Sequence, residues 1–402
     1  MNDVFDSRTS APDSPWRALR TAFAGLIALA VAMGVGRFAF TPILPMMQVD
    51  VGLSLRAAGW LAAANYLGYL IGALCAARLS PSWAIRGGLL LTTVVTFGMG
   101  LSANFTVWLV LRLLAGIASA WVLVHVASWT LERLLAWRRS SLSGVVFAGV
   151  GLGIAGAGTL CLVLMHAMVD SAHAWQVFGL VSLLLTAALW GTFRPDAPGA
   201  QSAYVDRMEH RIERRVVWNA DKWRLALCYG AFGFGYIIPA TFLPALARRF
   251  IADPAVFGWA WPVFGAAAAL STFATARWLH TVDDRRLWAI AHVLMAVGVV
   301  LPVLWPGLAA ILLAALLVGG TFLVVSMAGL REARRADAGS ATAFMGALTA
   351  AFAVGQMIGP LVVSAVAGSH QGFADALFVA AAVLLLSAVA LWRSAIGAVG
   401  RG

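Results

Sequence analysis

Apolar residues run along this chain in long blocks, broken at short intervals by Arg, Asp, Gly or Pro. A helix that crosses a bilayer needs about 20 predominantly apolar residues. Twelve blocks offer that length: 19–45, 57–77, 84–102, 105–128, 142–166, 174–193, 223–247, 255–277, 286–304, 307–330, 341–366 and 373–392. The single long polar stretch, 194–222, lies near the middle of the chain. The pattern predicts an all-α membrane protein of twelve transmembrane helices in two sets of six. Its parts are a tail over 1–18, a six-helix bundle over 19–193, a linker over 194–222, a second six-helix bundle over 223–392 and a tail over 393–402.

Composition excludes most alternatives. Hydrophobic residues make up 61% of the chain and charged residues 11%, against about 45–50% and about 25% in a soluble domain. Too few charges are present to coat a water-exposed surface, so a soluble enzyme, a disordered protein and a disulfide scaffold are set aside. Cys75, Cys161 and Cys228 lie far apart in apolar runs, without a C-x-x-C pair, and read as reduced structural thiols. The first 17 residues lack a basic region followed by an apolar core. The first apolar helix is therefore expected to act as a retained insertion signal.

The net charge of +11 acquires an address once the blocks are drawn. With the N-terminus inside, 23 of the 28 basic residues fall in inner segments, and Arg56, Arg248 and Arg249 fall outside. The positive-inside rule then places both termini in the cytoplasm. Arg37 and Arg112 remain within the spans.

The chain repeats itself at a shift of 199 residues. GVGRFAFTPILP around Gly34 meets GFGYIIPATFLP around Gly233. The shared frame pairs Gly34 with Gly233, Gly36 with Gly235, Leu44 with Leu243 and Pro45 with Pro244. Gly59-Trp60 meets Gly258-Trp259, and Ala77-Arg78 meets Ala276-Arg277, in the same register. Parallel six-helix halves joined by a cytoplasmic linker are the layout of the major facilitator fold. The fourth block carries Arg112-x-x-x-Gly116 and the eleventh GQMIGP, both patterns of that fold. Between the second and third blocks the acidic residue of the usual loop motif is missing from GALCAARLSPSWAIRGG. The strings GVGRFAFTPILPMM, AGW and ANYLGYLIGAL, with GFGYIIPATFLP, resemble the YbfB/YjiJ family of bacterial major facilitator transporters over nearly the whole chain. The resemblance implies a secondary transporter of the inner membrane that works by alternating access, and it leaves the substrate open.

By these spans the 17 carboxylates avoid the membrane interior; Glu132 and Asp375 come nearest. The two embedded charges, Arg37 and Arg112, are both positive and lie at a similar depth, roughly 10–12 Å below the outer surface at about 1.5 Å per residue. A buried arginine costs several kcal/mol unless it meets water or a partner. One reading is an anion site whose substrate supplies the missing negative charge. The other is that backbone carbonyls or polar side chains hold each arginine separately. Asn65, Tyr66, Tyr236 (the repeat mate of Arg37) and Gln356 fall near the same level. They can orient a substrate or brace the bundle by interhelical hydrogen bonds.

Gly34, Gly36, Pro45, Gly233, Gly235 and Pro244 weaken two helices at equivalent places and are expected to be hinges. Glu132 with Arg133, and Glu332 with Arg334, are candidates for inner-gate ion pairs; the alternative is a topology signal in solvent. The Gly151-Gly153-Gly156 run reads as helix packing by small residues, because a dinucleotide site needs a preceding strand. No zinc motif, P-loop or catalytic constellation appears. The expected function is secondary transport of a small organic molecule, an anion in view of the two arginines. An exporter of apolar drugs or metabolites and a non-transporting membrane sensor are the alternatives. No enzyme activity, cofactor, metal or nucleic-acid partner is expected. Lipid and a small-molecule substrate are the expected partners, with a coupling proton or an exchanged anion, and the chain is expected to be monomeric.

Overall fold

A backbone in lipid must satisfy its polar groups internally, which leaves helix as the economical solution. In the computed structural model all regular structure among the described residues is helical. The structure describes residues 15–76, 78–194, 216–250, 258–277, 282–336, 341–366 and 372–399. Most of the expected linker, and the outer parts of both expected tails, lie outside the described residues.

The first rod comprises α1 (Pro15–Leu29), a π-helical turn (Ala30–Val35) and α2 (Phe40–Asp50). There follow α3 (Leu55–Ala76), α4 (Pro81–Met99), α5 (Phe105–Ala136), α6 (Ser143–His166) and α7 (Ser171–Leu189). After the linker come α8 (Ala220–Phe250), α9 (Ala260–Arg277), α10 (Asp284–Leu304), α11 (Leu308–Ala336), α12 (Ala341–Val366) and α13 (Gly372–Val399). Ten of these rods, among the described residues, are long and apolar enough to cross a membrane. The expectation was twelve. The helices α4 and α9 fall short on this measure. In α4, Ser82, Arg86 and three threonines dilute the apolar run; in α9 the apolar helix spans only Ala260–Thr275.

Local chemistry sets several ends. Asn104 caps α5 by accepting from the amides of Thr106 and Val107 at 2.9 and 3.2 Å. Asp170 caps α7 by accepting from the His173 amide at 2.9 Å, and this bond holds its carboxyl below the usual carboxylate range. Other helices outrun their apolar blocks. The fifth ends at Ala136 and the eleventh at Ala336, each with arginine in its last turn, where the negative end of the helix dipole favours it.

The two glycine-rich repeats behave differently. In the first, the amides of Gly36 and Phe38 reach back five residues to Val31 and Met33, at 3.0 and 3.1 Å. The helix then opens into a turn over residues 36–39 and restarts at Phe40. In the second, α8 runs unbroken through Gly233, Gly235, Pro239 and Pro244. Neighbouring α3 and α5 pack closely along their length. Chain segments on either side of the linker meet where α3 packs on α12 and α6 on α9.

Two carboxylates are buried that the apolar blocks had left outside. Asp284 and Glu332 are 1% and 5% exposed, whereas Glu132 and Asp375, expected nearest to the membrane, are exposed. The reason is pairing: α10 begins at Asp284 and α11 continues past Glu332, because arginines neutralise both.

Candidate functional site

The break in the first rod builds the site. A change of helical register strands carbonyls that an unbroken helix would have used. Arg112, on α5, takes two of them: Nη2 donates to the Arg37 carbonyl at 3.1 Å and Nη1 to the Gly36 carbonyl at 3.4 Å. Its guanidinium lies over the Phe40 ring, 4.9 Å from the centroid. Asn65, on α3, holds the same arginine from behind, donating Nδ2 to the Arg112 carbonyl at 3.0 Å. Arg112 is thus the cap of a broken helix, bound to backbone carbonyls.

Arg37 points the other way, out of the break. It is 2% exposed. Its Nη2 donates to Oε1 of Gln356 on α12, and Nε2 of Gln356 donates to the Tyr236 hydroxyl on α8. The guanidinium stacks on Tyr69 at 4.1 Å and lies 5.1 Å from the Tyr66 ring. Tyr66 and Thr241 share a hydroxyl hydrogen bond of 3.0 Å. All six residues expected at the site therefore gather in one buried cluster, in which Arg37 meets Gln356, Tyr66 and, through its carbonyl, Arg112. Only neutral groups accept hydrogen bonds from the two guanidiniums here, and Nε of both Arg37 and Arg112 is buried without a hydrogen-bond partner, as is Oδ1 of Asn65.

Several members were not read from the sequence. Tyr69 lies three residues after Tyr66 and four after Asn65, so helical spacing places it on the same face; that signal was available. Phe322 and Phe352 flank Tyr236 with ring planes 4° and 6° from parallel and centroids 5.5 and 5.7 Å away. They come from α11 and α12, and nothing in their local sequence announces that meeting. Phe264 and Trp261 continue the stack.

The proposed inner-gate residues disperse. Glu132 is exposed, and Arg133 donates to the Trp129 carbonyl at 3.5 Å while covering the Trp129 ring. Glu332 meets Arg285, not its neighbour Arg334, at 2.5 Å. Arg285 also forks onto Asp221 at 2.7 and 2.9 Å, joining α8, α10 and α11. Beside it Asp284 pairs with Arg331 at 2.8 Å and with Arg335 at 3.0 Å.

The capping role gives a first prediction. Arg112→Ala is expected to lower stability by about 2 kcal/mol, the scale of lost hydrogen bonds to a charged group. Arg112→Lys should recover less than half of that, since an ammonium lacks the planar fork that spans two carbonyls. Thermal unfolding in detergent measures both; a lysine variant as stable as the parent would refute the capping account.

Comparison with known proteins places this geometry in context. Residues 29–392 match the family described as "Uncharacterised MFS-type transporter YbfB". The chain is 27% identical over 385 residues to a chloramphenicol resistance protein of Streptomyces lividans, covering 90% of this chain and 94% of that protein. It is 26% identical over 184 residues to the uncharacterized MFS-type transporter YceJ of Bacillus subtilis, covering 43% of this chain and 46% of that protein. Among solved structures, the nucleoside transporter NupG superposes with a TM-score of 0.70 at 12% identity, over 93% of this chain and 99% of that one. At that identity the likeness is one of fold.

Proposed function

The chain belongs to the family of YbfB-type MFS transporters, and we propose that it moves a small organic anion across the bacterial inner membrane by alternating access. One observation carries the anion: Arg37 is buried, its hydrogen bond goes to a neutral amide, and its Nε lacks a hydrogen-bond partner. A buried cation with neutral partners only is costly, and an anionic ligand removes the cost.

Twelve spans follow if α4 and α9 complete the set, giving six rods on either side of the linker. The 199-residue repeat supports this division. Under it α3 corresponds to α9 and α6 to α12, so the two packings across the halves, α3 on α12 and α6 on α9, exchange with each other. Thr41 donates to the carbonyl of Ala240, its own repeat mate, at 2.9 Å. A residue that touches its mate lies close to the axis relating the halves.

With both termini cytoplasmic, as the arginine distribution favours, the hydrogen bonds across the halves cluster toward the outer face. Among the described residues they include Thr41 to Ala240, Arg37 to Gln356, Tyr66 to Thr241, and Ser364 to the Arg56 carbonyl at 3.0 Å. Opening outward requires breaking them, while the Gly34–Gly36 break lets the first rod flex. A coupling proton or an exchanged anion supplies the energy.

The test is binding of organic anions to the purified protein, followed by uptake or counterflow in vesicles. Arg37→Ala is expected to weaken anion binding about 100-fold, the scale of truncating a buried charge pair worth about 3 kcal/mol. Affinity unchanged by that substitution would sink the anion reading. A second reading, export of an apolar drug, is favoured by the relative named for chloramphenicol resistance. It predicts that neutral compounds bind and that Arg37→Ala leaves them unaffected.

A further inference from the structure

We infer that Gln356 holds, on Arg37, the place of a substrate carboxylate, and that the site takes a planar aromatic carboxylate whose ring joins the stack around Tyr236. The inference rests on the anion reading above and deepens it.

The guanidinium edge carries the first half of the argument. Nε and Nη2 of an arginine project their N–H bonds from one edge, side by side, and that edge matches the two oxygens of a carboxylate. In Arg37 the Nη2 position is taken by Oε1 of Gln356, while Nε, on the same edge, is buried without a partner. A primary amide presents one planar oxygen to this edge and cannot fill both places. A carboxylate can, and its bonds are charge-assisted, roughly twice as strong as those of a neutral acceptor. The amide therefore satisfies Arg37 in part and yields to the ion it resembles.

The rings carry the second half. Gln356 donates to the Tyr236 hydroxyl, so a group that replaces its amide sits at the edge of the Tyr236 ring. That ring lies nearly parallel to Phe322 and Phe352. Phe352, one helical turn from Gln356 on α12, is partly exposed while Gln356 is fully buried. The stack thus has one partly exposed ring, Phe352, on the same helix as the carboxylate position. Tyr69 closes the opposite side by stacking on Arg37. A flat ring extends such a stack at contact distance; a puckered ring does not.

The exchange also has a consequence for movement. Gln356 links Arg37, on the first rod, to Tyr236, on α8, across the two halves. A carboxylate that displaces the amide breaks this chain of hydrogen bonds, so binding itself loosens one tie between the halves.

The experiment uses the full chain purified in detergent, with benzoate, cyclohexanecarboxylate and benzamide as probes, read by thermal shift and calorimetry. Benzoate is expected to bind. Cyclohexanecarboxylate, with the same charge and no flat face, should bind about 10-fold more weakly, the scale of one aromatic contact. Benzamide, flat and neutral, should give no shift. Gln356→Ala removes the competitor and should bind benzoate more tightly than the wild type. Gln356→Glu supplies a resident carboxylate, so it should raise the ligand-free melting temperature and abolish the benzoate response. Wild-type affinity for benzoate in Gln356→Glu overturns the inference. So does weaker binding in Gln356→Ala, which would make the amide a ligand contact, or equal affinity for benzoate and cyclohexanecarboxylate. In those cases anions still bind and only this inference falls. If no organic anion binds at all, the underlying anion reading falls with it.

Discussion

Gly116→Val is expected to leave the chain without a cooperative unfolding transition and largely aggregated in mild detergent. A Cβ built on Gly116 lies 2.0 Å from the Asn65 carbonyl oxygen and 2.7 Å from the Tyr69 amide nitrogen. Both are backbone atoms of α3, so no side-chain rotation relieves the clash. From the other side, a Cβ on Gly68 lies 1.9 Å from the Leu113 carbonyl oxygen of α5. The two helices touch backbone to backbone, and each extra atom must part them. Overpacking typically costs about 1–3 kcal/mol, and contact on rigid backbone puts this case at or beyond the upper end. A domain's net stability is only about 5–15 kcal/mol. The displaced residues include Asn65 and Tyr69, so the brace on Arg112 and the face under Arg37 move with them. Gly156→Val is the matched control: its Cβ meets nothing within 4 Å, and the position is exposed. Size-exclusion profiles and thermal melts of the two variants make the comparison. If Gly116→Val elutes and melts like Gly156→Val, α3 and α5 are free to separate.

Removing Arg285 is expected to cost about 3 kcal/mol, the range for breaking a buried pair and leaving its partner charged. Arg285 is the shared cation of Asp221 and Glu332, and Glu332 keeps only 7% side-chain exposure. Arg285→Ala strands the nearly dry Glu332 carboxylate at a junction of α8, α10 and α11, while Asp221, 35% exposed, keeps Arg224 at 3.0 Å. Adding Glu332→Gln in the same chain should restore most of the loss, because the damage is one uncompensated charge. A double variant no more stable than Arg285→Ala would show that the guanidinium acts by packing instead. Of the inner-gate candidates Glu332 and Arg334, Glu332 does form an ion pair, but with Arg285. Charge type and level were legible there, while the choice of Arg285 required α10 and α11 to be laid side by side.

The central site follows a similar division. A polar residue in an apolar run is conspicuous, so Arg37, Asn65, Tyr66, Arg112, Tyr236 and Gln356 could be picked out and assigned a common depth from helical rise alone. Their pairing could not. Arg112 and Arg37 look alike in sequence, yet one caps the carbonyls of Gly36 and Arg37 and the other faces Gln356. That difference depends on the register slip at Gly34–Gly36. The matching glycines of α8 sit in an unbroken helix, so glycine content alone did not determine the break. Phe322 and Phe352 are ordinary members of apolar runs until three helices bring them against Tyr236.

The sequence by itself determined the quantities set by the membrane as solvent. Lipid penalises every exposed polar group, so block lengths, arginine asymmetry and the scarcity of buried charge are written residue by residue along the chain. Repetition at 199 residues is equally local, since it compares strings. Tertiary structure decided which stranded carbonyl meets which guanidinium, which carboxylates could be buried, and which rings stack. Those outcomes depend on distances of a few ångströms between helices far apart in the chain, and hydrogen bonds and ion pairs lose most of their strength beyond that range.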